Sequence, residues 1–334
     1  MQGTPQWIET EVAQLDHEMK WGGELSSFSD GSLLLRTRDG PGRWDGIFHV
    51  DPRTGHVEEL ECPAAGAFCS LPVTGDRLLV ATPGASHALL WNPLTHQIDR
   101  VAGEIPHGKW VCSDVYKGAV TIVANQDLSG SSAGFDYEHH QTSLAVFDPD
   151  QGRFVQPFQG VEGRNLGGIV VQSETHLLAY AFGRHSSFCR LFSMDLQEPD
   201  SDDRPFLRLP FDEWSRFMGT DSGRALVVWG RKGHNHGIVR LTSTAKAFET
   251  VWTTQRPRKK RLLFGTALAL RDGSKLVFCS QTSHGHVLIR YAYPGPVSIV
   301  GSILEARVSC ATQAASGQIY VAGAGVIHRL TPPT

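Results

Sequence analysis

At 334 residues, the chain is long enough to bury one large all-β core. Its formal net charge of −3 excludes the strongly basic balance of a nucleic-acid or membrane-surface binder. No apolar run reaches the length of a membrane helix, and no cationic stretch followed by an apolar one opens the segment Met1–Val12.

Read in chain order, the sequence is a repeat. The segment Trp7–Val12 alternates like a strand. After it, a short turn followed by an apolar strand recurs, from Asp30-Gly-Ser-Leu-Leu-Leu35 through Gly75-Asp-Arg-Leu-Leu-Val80 and Lys117-Gly-Ala-Val-Thr-Ile122 to Glu174-Thr-His-Leu-Leu178. It returns at Ser222–Val228, Asp272–Phe278 and Ser316–Val321. With Leu33, Leu78, Val120, Leu177, Leu226, Leu276 and Ile319 as equivalents, the steps are 45, 42, 57, 49, 50 and 43 residues. Such a period fits one four-stranded propeller blade per repeat.

Each copy also carries the other strands. Small residues before the turn (Gly66–Ser70, Trp110–Ser113, Gly167–Val171, Gly265–Ala269, Val308–Ala311) suit an innermost strand crowded near an axis. A third strand often ends in turn chemistry, as in Asp51-Pro-Arg-Thr-Gly55, Asn92-Pro-Leu-Thr95 and Asp148-Pro-Asp-Gln-Gly152. The last copy ends at its third strand, Val326–Leu330, so residues 5–12 are expected to supply the missing fourth strand and close the ring. The expected fold is therefore all-β, a single seven-bladed β-propeller of four-stranded antiparallel blades. Its blades fall at 20–62, 63–103, 104–160, 161–210, 211–254, 255–301 and 302–332. Six blades with an irregular tail is the competing arrangement.

The Asp-Pro-x-x-Gly turn after a third strand resembles seven-bladed propellers of the quinoprotein, lactonase and lyase-like groups. Scattered Cys62, Cys69, Cys112, Cys189, Cys279 and Cys310, with no CxxC pair, predict reduced thiols and a cytoplasmic protein. The short basic run Arg256–Arg261 reads as a solvated loop, with nuclear targeting or phosphate contact as the rival.

In a propeller, the loops entering the inner strands open on the same face as those joining strands two and three. Lys20-Trp21, Lys109-Trp110, Arg164, Trp214 with Arg216, Arg261 and Arg307 precede or open inner strands. A ring of cations there would attract a carboxylate or phosphate, and Arg can bind either in a bidentate way. Trp21, Trp110 and Trp214 would stack on a sugar or aromatic ring. The loops between strands two and three carry His87, His139-His140, His185, His234 with His236, and His284 with His286. In a strand, residues i and i+2 share a face, so each His-x-His pair could turn both rings to one ion of zinc, manganese or iron, with Asp136 or Glu138 adding oxygen. The longest insertion, Asp127–Glu138, reads as a lid or as decoration.

Gln281-x-x-His284-x-His286, with another histidine one copy earlier, resembles the ligand set of metal-dependent oligogalacturonate lyases. That resemblance implies metal ligation by His234, His236, Gln281, His284 and His286, and a catalytic pair at Arg164 and His185. Two classes of function fit the residues. One is a lyase, lactonase or isomerase for a small anionic or uronate-like substrate. The other is a non-catalytic module that binds a protein partner or, as a lectin, a carbohydrate.

Overall fold

In a computed structural model the described residues are 5–16, 19, 23–40, 43–64, 69–82, 87–106, 108–127, 140–162, 165–174, 176–182, 187–193, 207–211, 213–242, 244, 247–256, 262–281, 285–304 and 308–333. Their strands run as follows. β1 (Ile8–Gln14) stands apart from its sequence neighbours, and β2 (Gly23–Ser27), β3 (Leu33–Gly40), β4 (Arg43–Asp51) and β5 (His56–Glu59) form the first meander. The second is β6 (Cys69–Val73), β7 (Arg77–Ala81), β8 (Ala88–Asn92) and β9 (Gln97–Val101). The third is β10 (Lys109–Tyr116), β11 (Ala119–Asp127), β12 (His140–Asp148) and β13 (Arg153–Glu162). Next come β14 (Asn165–Val171), β15 (His176–Phe182), β16 (Ser187–Ser193) and β17 (Leu207–Arg208). They are followed by β18 (Glu213–Thr220), β19 (Leu226–Lys232), β20 (Asn235–Leu241) and β21 (Glu249–Gln255). A further meander is β22 (Leu262–Ala269), β23 (Lys275–Gln281), β24 (His286–Tyr291) and β25 (Ser298–Ile303).

These six four-stranded antiparallel meanders are consecutive in the chain, whereas one more four-stranded sheet draws on both termini. There β26 (Cys310–Gln313), β27 (Ile319–Gly323) and β28 (Val326–Thr331) are completed by β1, in the order β1-β28-β27-β26. The register runs from Ile8 opposite Thr331 to Gln14 opposite Val326. The closing strand expected at 5–12 thus lies two to three residues further on. Residues before it do a different job: Trp7 N–H donates to Ser302 O at 2.9 Å, and Ser302 N–H donates to Pro5 O at 2.9 Å. The chain enters by running along β25 before it turns to β28.

The sheets belong to two compact units. One holds Met1–Cys62 with Thr254–Thr334, the other Pro63–Thr253. Within each unit the cores lie between neighbouring sheets. In the second unit, Leu79, Leu90, Trp110, Ile122, Phe147 and Phe154 fill the space between the β6–β9 and β10–β13 sheets. In the first, Leu25, Leu35, Val50, Tyr320 and Ile327 fill that between the β2–β5 sheet and the composite one. A second strand is covered on both faces, which is why its apolar run is unbroken rather than alternating: Leu226, Val227, Val228 and Trp229 are all buried.

The turns follow their sequence chemistry. Asp51 Oδ1 accepts from Arg53 N–H, Asn92 Oδ1 from Leu94 N–H, and Asp148 Oδ1 from Asp150 N–H, each at 2.9 Å. Between β10 and β11, Lys117 and Gly118 both take positive φ, 49° and 86°, the pair of left-handed residues that matches a two-residue hairpin to strand twist. The small inner-strand residues also have a visible reason. A Cβ on Gly168 would lie 2.2 Å from the Phe217 ring of the next sheet's inner strand.

Candidate functional site

A four-strand meander has two unlike ends. At one, here the entry end, the first strand begins, strands two and three are joined, and the fourth strand finishes. At the other, the hairpin end, the first strand turns into the second. Each histidine group of the sequence analysis falls in or beside a strand two–three connection: 82–87, 128–139, 183–186, 233–234 and 282–285 lie between the second and third strands of their sheets. Among the described residues, Lys109 opens the inner strand β10 and His140 opens β12, so in the β10–β13 sheet a cation and a histidine share the entry end.

The β18–β21 sheet shows that end best. Glu213 pairs in register with Arg231, and Arg231 with His236, forming one rung across three strands. Arg231 and His236 are buried, and the His236 ring lies 6.0 Å from that of Trp229, which itself lies 5.7 Å from Trp252. Arg216 is exposed and pairs with Trp229 in the ladder. Behind this rung Gly230 faces Gly237, and the Phe211 ring lies in the slot they leave: a Cβ on Gly230 would come within 1.8 Å of it.

Two expectations change here. His234 and His236 do not share a strand face. Gly233 and His234 are the two-residue turn between β19 and β20, so His234 is exposed while His236 is enclosed. Trp110 is not an open stacking platform; it is buried with Ala81, Ala88 and Ala124 because it points between two sheets. In the other unit His286 opens β24 and is buried, its Nε2 3.8 Å from where a Gly265 Cβ would stand on the inner strand. That ring is directed toward the inner strand rather than out of the loop.

Lys109, Trp214 and Gln281 are placed only by backbone, in β10, β18 and β23. Lys20, Trp21, Asp136, Glu138, His139, Arg164, His185, Arg261, His284 and Arg307 lie outside the described residues. Among the described residues no group of three or more His, Cys, Asp or Glu side chains is arranged to hold a metal ion. The donor pair that is described, one imidazole exposed in a turn and the other enclosed beside tryptophan, does not fit a shared metal.

A charged feature escaped the sequence reading. Arg36, 1 % exposed, forms an ion pair with Glu24, its register partner on the inner strand β2. A guanidinium so enclosed is tolerated only with such a partner. The signal was an arginine directly after the apolar run Leu33–Leu35, with a carboxylate one strand back at the matching register. Arg231 sits near the entry end of its second strand and Arg36 in the middle of its own, each within its own unit.

No family model matches the chain, and no curated protein matches it in sequence. Its likenesses are to solved structures. A streptogramin B lyase shares 12% identity at a TM-score of 0.61, over 98% of both chains. An oligogalacturonate lyase in complex with manganese shares 13% at 0.59, over 99% of this chain and 98% of that one. A chain of the mitotic checkpoint complex shares 11% at 0.56, over 99% and 96%. With the sheets described above, these likenesses define the class: an all-β propeller with four-stranded antiparallel blades. At such identities the likeness is one of fold.

Proposed function

We propose that the chain is a propeller enzyme, a lyase, lactonase or isomerase, that takes a small anionic or uronate-like substrate at the entry end of its blades. In this reading the composite sheet is the seventh blade. One observation carries the proposal: Arg231 and His236 share a rung at the entry end of the β18–β21 sheet, with Arg216 on the inner strand of the same sheet. In this reading Arg216, which is exposed, meets a substrate anion together with Arg164 of the same unit. His185 is the general acid or base, since imidazole titrates near neutral pH. The lyases of like fold support the class of chemistry.

A divalent metal (manganese, zinc or iron) would stabilise an oxyanion or enolate here. The described His234, exposed in a turn, and His236, enclosed beside Trp229, do not fit one. The test is a thermal-shift and turnover screen with uronates and small lactones. A stabilising anion, with turnover lost in His185→Ala at unchanged Tm, is the expected result. No stabilisation by any anion and no turnover would overturn the reading.

A second reading, a propeller that binds a protein partner, has its own observation. Gln6 bridges Ser302 in parallel, and Leu304 N–H donates to Glu9 Oε1 at 2.7 Å; Ile8 and Leu304, in these same segments, are 58% and 50% exposed. Chains of like fold in the mitotic checkpoint complex and in U3-55K support it. A stoichiometric partner whose capture is lost in Ile8→Asp, with no turnover of any anion, would favour it over the enzyme.

A further inference from the structure

The hairpin end of the second unit is laced together by side chains. Asp114, near the finish of inner strand β10, accepts Val171 N–H from β14 at 2.8 Å and the Thr220 hydroxyl from β18 at 3.2 Å. Arg224, in the turn between β18 and β19, donates from Nε to Val171 O at 2.8 Å and from Nη1 to Val115 O at 3.2 Å. It also forms an ion pair with Asp114. Gln172 Nε2 donates to Arg224 O at 3.0 Å. Three successive inner strands thus converge on one carboxylate and one guanidinium. Arg224 holds a left-handed φ of 55°, a conformation an arginine keeps only where its surroundings over-determine it. Lys117–Glu174, at 2.8 Å between the next two turns, is exposed on both sides and adds little.

The first unit shows the same device in different residues. Arg271, in the turn between β22 and β23, donates its N–H to Gln313 Oε1 at 2.9 Å and its guanidinium to Ala315 O. Gln313 Nε2 donates to Gly317 O at 3.0 Å, and Gln313 O accepts the Ser27 hydroxyl from the finish of β2 at 3.4 Å. Again three successive inner strands, β22, β26 and β2, are tied where they end.

We propose that the hairpin end of each unit is a laced base that fixes three successive inner strands to one another, which makes it the rigid end of the blades and leaves ligand-linked adjustment to the entry end. The second half rests on the entry end being the ligand end; the lacing does not, so it is tested without ligand. Hydrogen exchange on the full chain is the measurement. Asp114→Ala should speed exchange about tenfold or more at the finishing ends of β10, β14 and β18 together, because their shared acceptor is gone. His234→Ala, at the entry end of the same unit, should leave those amides unchanged. Should Asp114→Ala not fold, Arg224→Lys keeps the charge but cannot reach Val171, Val115 and Asp114 at once, and the same three-strand response is expected. Acceleration confined to the substituted strand would overturn the proposal, as would an equal response to His234→Ala.

Discussion

Two glycines are held by what lies against them. The Trp7 indole covers Gly301 so closely that a Cβ there would lie 2.3 Å from it. Gly301→Ala should cost about 1–3 kcal/mol through overpacking, read by urea unfolding. Gly230→Ala should cost a similar amount, about 1–3 kcal/mol, against Phe211. With Phe211→Ala added, the double variant should cost about 0.5–3 kcal/mol less than the sum of the singles, since each removes the other's clash or contact. The turn carboxylates set an acid limit. The Ser274 hydroxyl, then its N–H and Arg290, hold Asp272 below the ordinary aspartate value of 3.8, and the Arg53 guanidinium and N–H bring Asp51 to about 2. Because these folded values are depressed, the stability they lend is complete above the unfolded value and is lost as pH falls through the folded ones. Tm should therefore drop between about pH 4 and 2, and Asp272→Asn should flatten that slope. Of these residues the turn carboxylates were legible, since Asp-Gly-Ser and Asp-Pro turns are local chemistry. Trp7 on Gly301 was not, because it joins positions that only the fold brings together.

At the scale of strands, most of the pattern was written in the repeat. The apolar turn strands and the Asp-Pro or Asn-Pro turns after third strands fall where their chemistry puts them, as does the shortfall of the last copy. The pair His234 and His236 was read one step too far. Two residues apart means one face only inside a strand, and Gly233-His234 is a turn, so the i and i+2 argument lost its premise. Buried Arg36 with Glu24 was not legible, because the pair exists only through the register of β2 on β3. The strand that completes the composite sheet has its own consequence. Removing residues 1–14 should leave β28 an open edge, and exchange at Val326–Thr331 should rise toward that of an unprotected strand. A peptide of Pro5–Gln14 added in trans should restore part of the protection. Full protection after truncation, without the peptide, would contradict the role given to β1.

On the scale of the molecule, the two units differ in how the chain builds them. The four meanders of Pro63–Thr253 each use one continuous stretch of chain, whereas β1 finds its place only when β26–β28, far later in the sequence, are made. Ile8–Gln14 must stay available while some three hundred residues are added. During synthesis on the ribosome, the middle of the protein can settle blade by blade as it emerges. Ile8–Gln14 can join β28 only once Val326–Thr331 has emerged. A nascent chain stalled before Val326 should therefore yield a protease-resistant core from the middle and a cleavable segment at Ile8–Gln14, which should become resistant once β28 has emerged.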